Sequence, residues 1–133
     1  MRNFHLRIVT PDGVIYDGEA VSLLVRTDDG DVEFLAGHTD YFAHLGIGTA
    51  RLITGEGTRY GSANGGFVSV QSGELTVAAT TFEFAEDIDL NRATLAKERT
   101  ESVISISKDQ KEIDVAKAKL LRAINRIKVA ELL

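Results

Sequence analysis

The sequence predicts a β + α protein, with an N-terminal antiparallel β-sandwich over residues 1–85 followed by a C-terminal two-helix hairpin over residues 86–133. Three observations carry this. All 12 glycines and the single proline lie at or before Gly73. Apolar residues alternate with polar ones up to Phe84 and then recur every third or fourth position. Charge divides at the same place: residues 1–84 carry 11 acidic and 5 basic side chains, the remainder 9 and 10.

The strands come first. Phe4, Leu6 and Ile8 alternate with polar neighbours, as do Val21, Leu23 and Val25, followed by Phe67 and Val70 and the stretch Leu75–Phe84. Turn signals separate them at Pro11-Asp12-Gly13, Asp17-Gly18, Asp28-Asp29-Gly30, Gly55-Glu56-Gly57, Gly65-Gly66 and Ser72-Gly73. Short strands at this spacing imply a sandwich or barrel, because a lone sheet leaves one apolar face in water.

The helices follow. Leu90, Ala93, Ala96 and Val103 mark a first helix over roughly 88–104, with Asp87 or Asp89 as its N-cap. Ile113, Ala116, Leu120, Ala123, Ile127 and Ala130 form a seam on a second helix over 108–132, which Ser107 and Gln110 open as a capping box. An alanine-rich seam buries little area: at about 25 cal/mol per Å² it contributes a few kcal/mol, close to the cost of ordering the two helices. Its connector, Ser105-Ile106-Ser107, lacks the glycine or proline of a sharp turn. A hairpin able to open is the expectation.

Composition excludes several classes. The chain has no cysteine, hence no disulfide, thiolate nucleophile or Cys-ligated metal, and its net charge of −5 argues against nucleic-acid binding. No apolar run approaches the roughly 18 residues of a membrane span. Arg2, His5 and Arg7 sit in a strand-like alternation unlike a secretory signal, so a cytoplasmic location is expected. His38, Asp40 and His44 follow no zinc-ligand spacing, and Ser62 and Asn64 precede neither a phosphate-loop lysine nor a helix. Neither catalytic nor metal residues are assigned, and a stand-alone enzyme using a cleft in the sandwich is disfavoured.

The strings TPDGVIYDGE (10–19) and LLVRTDDGDVEFLAGHTDYFAHLGIG (23–48), with IDLNRA (88–93) and LLRAINRIKVA (120–130), resemble bacterial epsilon subunits of F-type ATP synthases over essentially the whole chain. One departure is the absence of proline from Leu35–Asp40. The resemblance implies a non-catalytic subunit at the cytoplasmic face of the bacterial membrane. Its sandwich would dock on the gamma subunit and c-ring. Its hairpin would either fold against the sandwich or extend toward the alpha and beta subunits and restrain ATP hydrolysis.

Some members of this family bind ATP as a regulatory ligand through an [IL]DxxRA motif and arginines of the second helix. Ile88, Asp89, Arg92 and Ala93 match that motif, and Arg122 and Arg126, four apart, share one helix face. Guanidinium forks suit a triphosphate, a small Ala93 admits the nucleoside, and Asp89 or Glu83 can accept from ribose or adenine. Arg99, seven residues after Arg92, falls on nearly the same face. The alternative is a structural stalk adaptor, in which Asp89 is only a cap and the arginines meet water or partner acids.

Overall fold

The computed structural model describes residues 2–133. It divides into two compact units, Met1–Phe84 and Ala85–Leu133. The first holds eight strands: β1 (Phe4–Thr10), β2 (Gly13–Ala20), β3 (Ser22–Thr27), β4 (Gly30–Leu35), β5 (Tyr41–His44), β6 (Ile47–Thr54), β7 (Gly57–Gln71) and β8 (Glu74–Phe84). Their order is β2-β1-β8-β7-β6-β3-β4, with β5 also on β7. All pairings are antiparallel except β1 with β8, which run parallel from Leu6↔Leu75 to Val9↔Ala78. The sequence predicts a wholly antiparallel sheet; the exception is a pair of strands far apart in the chain, the first and the last of the unit.

One contiguous core forms inside. Leu6, Ile8, Leu23, Val25, Val68 and Val77 are fully buried there, with Phe34 and Leu52 nearly so. The alternation places these side chains, since successive residues of a strand point to opposite faces. Phe67, on the same strand as Val68, does not join that core. It lies on the outer face, 38 % exposed, while Val68 and Val70 point inward.

Three of the hairpins share a construction. Thr10, Thr27 and Thr54 each accept, through Oγ1, the amide hydrogen of the residue two further on, at 3.2, 3.0 and 3.1 Å. Each heads a Thr-x-acid-Gly tetrapeptide, in which the side chain caps the turn that the glycine completes. Ser72 and Gly73, both at positive φ, turn β7 into β8. Two other turn signals are not turns: Asp17-Gly18 lies within β2, and Gly65-Gly66 lies within β7.

At Gly65 (φ 67°) and Gly66 (φ 89°) β7 bends without ending. Before the bend it pairs with β6, up to Ile47↔Asn64; after it, with β5, from His44↔Phe67. Leu45 donates to the Gly66 carbonyl at 2.9 Å and closes the gap between the two partners. One strand thereby serves both layers of the sandwich, which only residues without Cβ allow at this conformation.

The second unit opens with a 3₁₀ turn, Ala85–Asp87, then α1 (Leu90–Ile106) and α2 (Gln110–Ala130). The α1 seam is buried at Ala93 and Thr100, with Ala96 and Val103 half-buried; Leu90, at the first position of the helix, is 45 % exposed. Thr100 fits an apolar seam because its hydroxyl donates to the Ala96 carbonyl at 2.9 Å. On α2, Ala116, Ala123 and Val129 are buried, and Ile113, Leu120, Ile127 and Ala130 half-buried.

The connector and second cap also differ from expectation. Ser107 ends α1, its N–H donating to Val103 O at 2.9 Å, and Asp109 caps α2, accepting from Lys111 N at 3.0 Å. Gln110 donates to Asp114 at 2.8 Å and makes no reciprocal capping-box bond with Ser107. A carboxylate adjacent to the first helical residue competes better for the free amides than a hydroxyl already engaged by Asp109 N.

Candidate functional site

Asp89 has extended backbone geometry (φ −80°, ψ 99°), and its Oδ1 accepts from Arg92 N at 3.1 Å, so it is the N-cap of α1. Its other oxygen and its exposure leave it able to meet a ligand as well. Ile88 is half-buried, its N–H on the Ala85 carbonyl at 3.3 Å. Asp89→Ala is expected to cost the helical unit about 1 kcal/mol and Asp89→Asn only a few tenths, measured as the loss of far-UV circular dichroism in urea.

Antiparallel helices place residues equidistant from their connector at the same level. Ala93 and Ala123, both buried on the seam, meet this condition. Arg92 adjoins the first; Arg122 and Arg126, half-buried, flank the second within a turn of it. The structure therefore gathers Ile88, Asp89, Arg92, Ala93, Arg122 and Arg126 at the end of the hairpin away from its connector. Arg99 lies two turns nearer the connector, about 10 Å along the axis, on the exposed side. Glu83 is half-buried on β8 in the other unit, one strand residue before Phe84.

The side chains of Arg92, Arg99 and Arg122 join no salt bridge among the described residues. Two helices thus carry guanidinium groups to one end of a seam of small side chains. That arrangement offers forked donors to an anion.

The remaining residues weighed from sequence have ordinary roles. His38 packs between Phe34 and Tyr41, with ring centroids 4.9 and 5.8 Å away, and its Nδ1 lies 2.7 Å from Thr39 O. Asp40 accepts the Ser72 amide at 3.0 Å, and His44 lies 3.7 Å from Asp28. No metal-binding cluster occurs among the described residues. Ser62 and Asn64 are strand residues of β7. A cleft of about 480 Å³ in the sandwich is lined by Tyr16, Glu19, Glu56 and Arg59 among others. Burial raises the Tyr16 phenol above its ordinary value, and its hydroxyl donates to Glu19 O at 2.6 Å, so it is no ready base. The exposed outer-face pair Phe42 and Phe67, stacked at 5.3 Å, is not legible in the sequence, where Phe67 reads only as a strand residue.

Comparison with known proteins agrees with this organisation. The family model for the beta-sandwich domain of the ATP synthase delta/epsilon chain matches residues 3–85, and that for its long alpha-helix domain matches residues 86–131. An ATP synthase epsilon chain of Staphylococcus saprophyticus is 40 % identical over 133 residues, covering 99 % of both chains. One from Bacillus velezensis is 38 % identical over 130 residues, covering 98 % of both. Among solved structures, a chain of the Euglena gracilis mitochondrial ATP synthase OSCP/F1/c-ring assembly superposes with a TM-score of 0.82 at 21 % identity, covering 98 % of this chain and 82 % of that one. A chain of the Tetrahymena thermophila central stalk and c-ring gives 0.62 at 10 % identity, covering 97 % of each. These two establish likeness of fold. Matched in order along both units, and at this identity over nearly its whole length, the chain belongs to the ATP synthase delta/epsilon family of non-catalytic subunits.

Proposed function

We propose that this chain is a central-stalk subunit that couples the catalytic head to the c-ring and restrains ATP hydrolysis through a mobile hairpin, which ATP holds closed. The observation that carries the ATP reading is the set of arginines gathered from both helices at one end of an alanine seam, Arg92 and Arg122 without an internal acid partner. Closed, the hairpin presents them together to a triphosphate. Extended, it separates Arg92 from Arg122 and Arg126 and frees all of them for acidic surfaces of the alpha and beta subunits. A ligand preferring the closed state a hundredfold shifts the balance by about 2.7 kcal/mol, enough for a seam this thin.

Docking on the gamma subunit and c-ring is the role proposed for the sandwich, with the chain peripheral at the cytoplasmic face of the bacterial membrane. A row across its outer face supports a protein partner. His44, Phe67, Ala78, Val9 and Val14 stand in register on β5, β7, β8, β1 and β2, with Phe42 stacked beside them. Phe42 and Val14 are 59 % and 53 % exposed, and exposed apolar side chains in a contiguous row mark an interaction face. No helix of the described residues is long and apolar enough to cross a membrane.

The test is a calorimetric titration of the isolated chain with ATP, with ADP and GTP as controls. Saturable one-to-one binding that prefers ATP is expected. Absence of heat and of thermal stabilisation at millimolar ATP would leave a coupling subunit whose arginines serve protein partners alone.

A further inference from the structure

The β1–β2 hairpin joins the rest of the sheet through β8, by a parallel ladder of only four registered pairs, Leu6↔Leu75 to Val9↔Ala78. His5 stands just before that ladder. Phe4, Leu6 and Ile8 point into the core, so alternation turns His5 and Arg7 outward. There His5 Nε2 lies 2.6 Å from Asp17 Oδ1 on β2, and its Nδ1 3.7 Å from Glu74 Oε1 on β8. A single ring therefore spans three adjacent strands.

We propose that His5 is a proton-operated clasp that fastens the β1–β2 hairpin to β8 when protonated and loosens it when neutral. Charge on the facing elements sets the sense. β2 presents Asp17 and Glu19, β8 presents Glu74, and the nearby cation on β1 is Arg7, whose Nε lies 3.9 Å from Asp17. With His5 neutral, one cation faces three carboxylates; protonation adds a second and makes both ring nitrogens donors. Neutral imidazole can donate to one carboxylate only, so it gives up either Asp17 or Glu74.

The hydrogen bond to Asp17 raises the His5 pKa above 6.5, with the charges of Asp17, Glu74 and Glu19 adding to it and desolvation opposing. A folded value raised above the unfolded one contributes stability that is complete below the unfolded pKa and is lost as pH rises through the folded pKa. The clasp is thus closed in mildly acidic solution and open in alkaline solution. With the side chains of His5, Asp17 and Glu74 at 40, 51 and 72 % exposure, salt screens the contact.

The experiment is a proton NMR titration of the His5 ring in the full chain, beside Asp17→Asn and Glu74→Gln. The expected midpoint lies above 6.5, falls most in Asp17→Asn, less in Glu74→Gln, and also falls at about 1 M salt, where the Debye length is about 3 Å. His5→Gln is expected to lower the thermal midpoint at about pH 5.5 and to leave it unchanged at about pH 9. A wild-type midpoint at or below 6.5, a midpoint that Asp17→Asn leaves in place, or a His5→Gln effect equal at both pH values overturns the proposal. None of these outcomes depends on nucleotide binding or docking.

Discussion

Replacing Arg122 and Arg126 together with alanine is expected to weaken ATP binding roughly 10²–10⁴-fold, which follows from losing two charge-assisted hydrogen bonds of about 1.5–3 kcal/mol each. Both residues are half-buried, within a turn of the seam residue Ala123. Replacement by lysine keeps the charge and removes the fork, and an intermediate loss is expected. Titration calorimetry on the three proteins checks the order. Wild-type affinity in the alanine double variant would remove these two residues from the site and, with them, the motif-based reading of the hairpin. On the proposed function, the same variant in reconstituted enzyme is expected to restrain hydrolysis at ATP concentrations at which the wild type no longer does.

The second large effect concerns the fold. Gly66→Ala is expected to destabilise the sandwich by roughly 2–6 kcal/mol, combining a strained left-handed backbone with overpacking. At φ 89° a Cβ on residue 66 meets the carbonyl oxygen of Ala78 and, at 3.0 Å, the Ala79 Cα. Both are atoms of a paired strand, so the obstacle cannot rotate away as a side chain would. Gly55→Ala is the matched control: its φ is not positive and open space surrounds it, so a change within about 0.5 kcal/mol is expected. Urea denaturation of the two variants decides it, and equal midpoints would mean that the bend in β7 tolerates a side chain.

Much of this protein was legible residue by residue. Strands could be read because Phe4, Leu6 and Ile8 alternate on a half-buried sheet, and helices because apolar residues recur at 3 and 4 on α2. The motif Ile88–Ala93 and the spacing of Arg122 and Arg126 also depend only on neighbours along the chain. Less legible was the N-cap of α2. Ser107 and Asp109 both carry capping side chains two residues apart, and the choice rests on which one α1 has already used to end itself. The Thr-x-acid-Gly tetrapeptides were a readable signal for three hairpins, whereas Asp17-Gly18 carries turn residues inside a strand whose pairing with β1 overrides them.

The sequence by itself determined whatever has a short period or a local mechanism: the change from strands to helices near Phe84, the alanine seam and the motif arginines. Only the tertiary structure decided which strands neighbour one another. It set the parallel meeting of β1 with β8, turned Phe67 outward beside Phe42, made Gly65-Gly66 a bend between two partners, and brought His5 between Asp17 and Glu74. The physical reason is range. Propensity, capping and alternation act over a few bonds. Strand order, by contrast, is settled by burying one shared core among segments up to some 70 residues apart, as Leu6 and Leu75 are, and no local pattern encodes that choice.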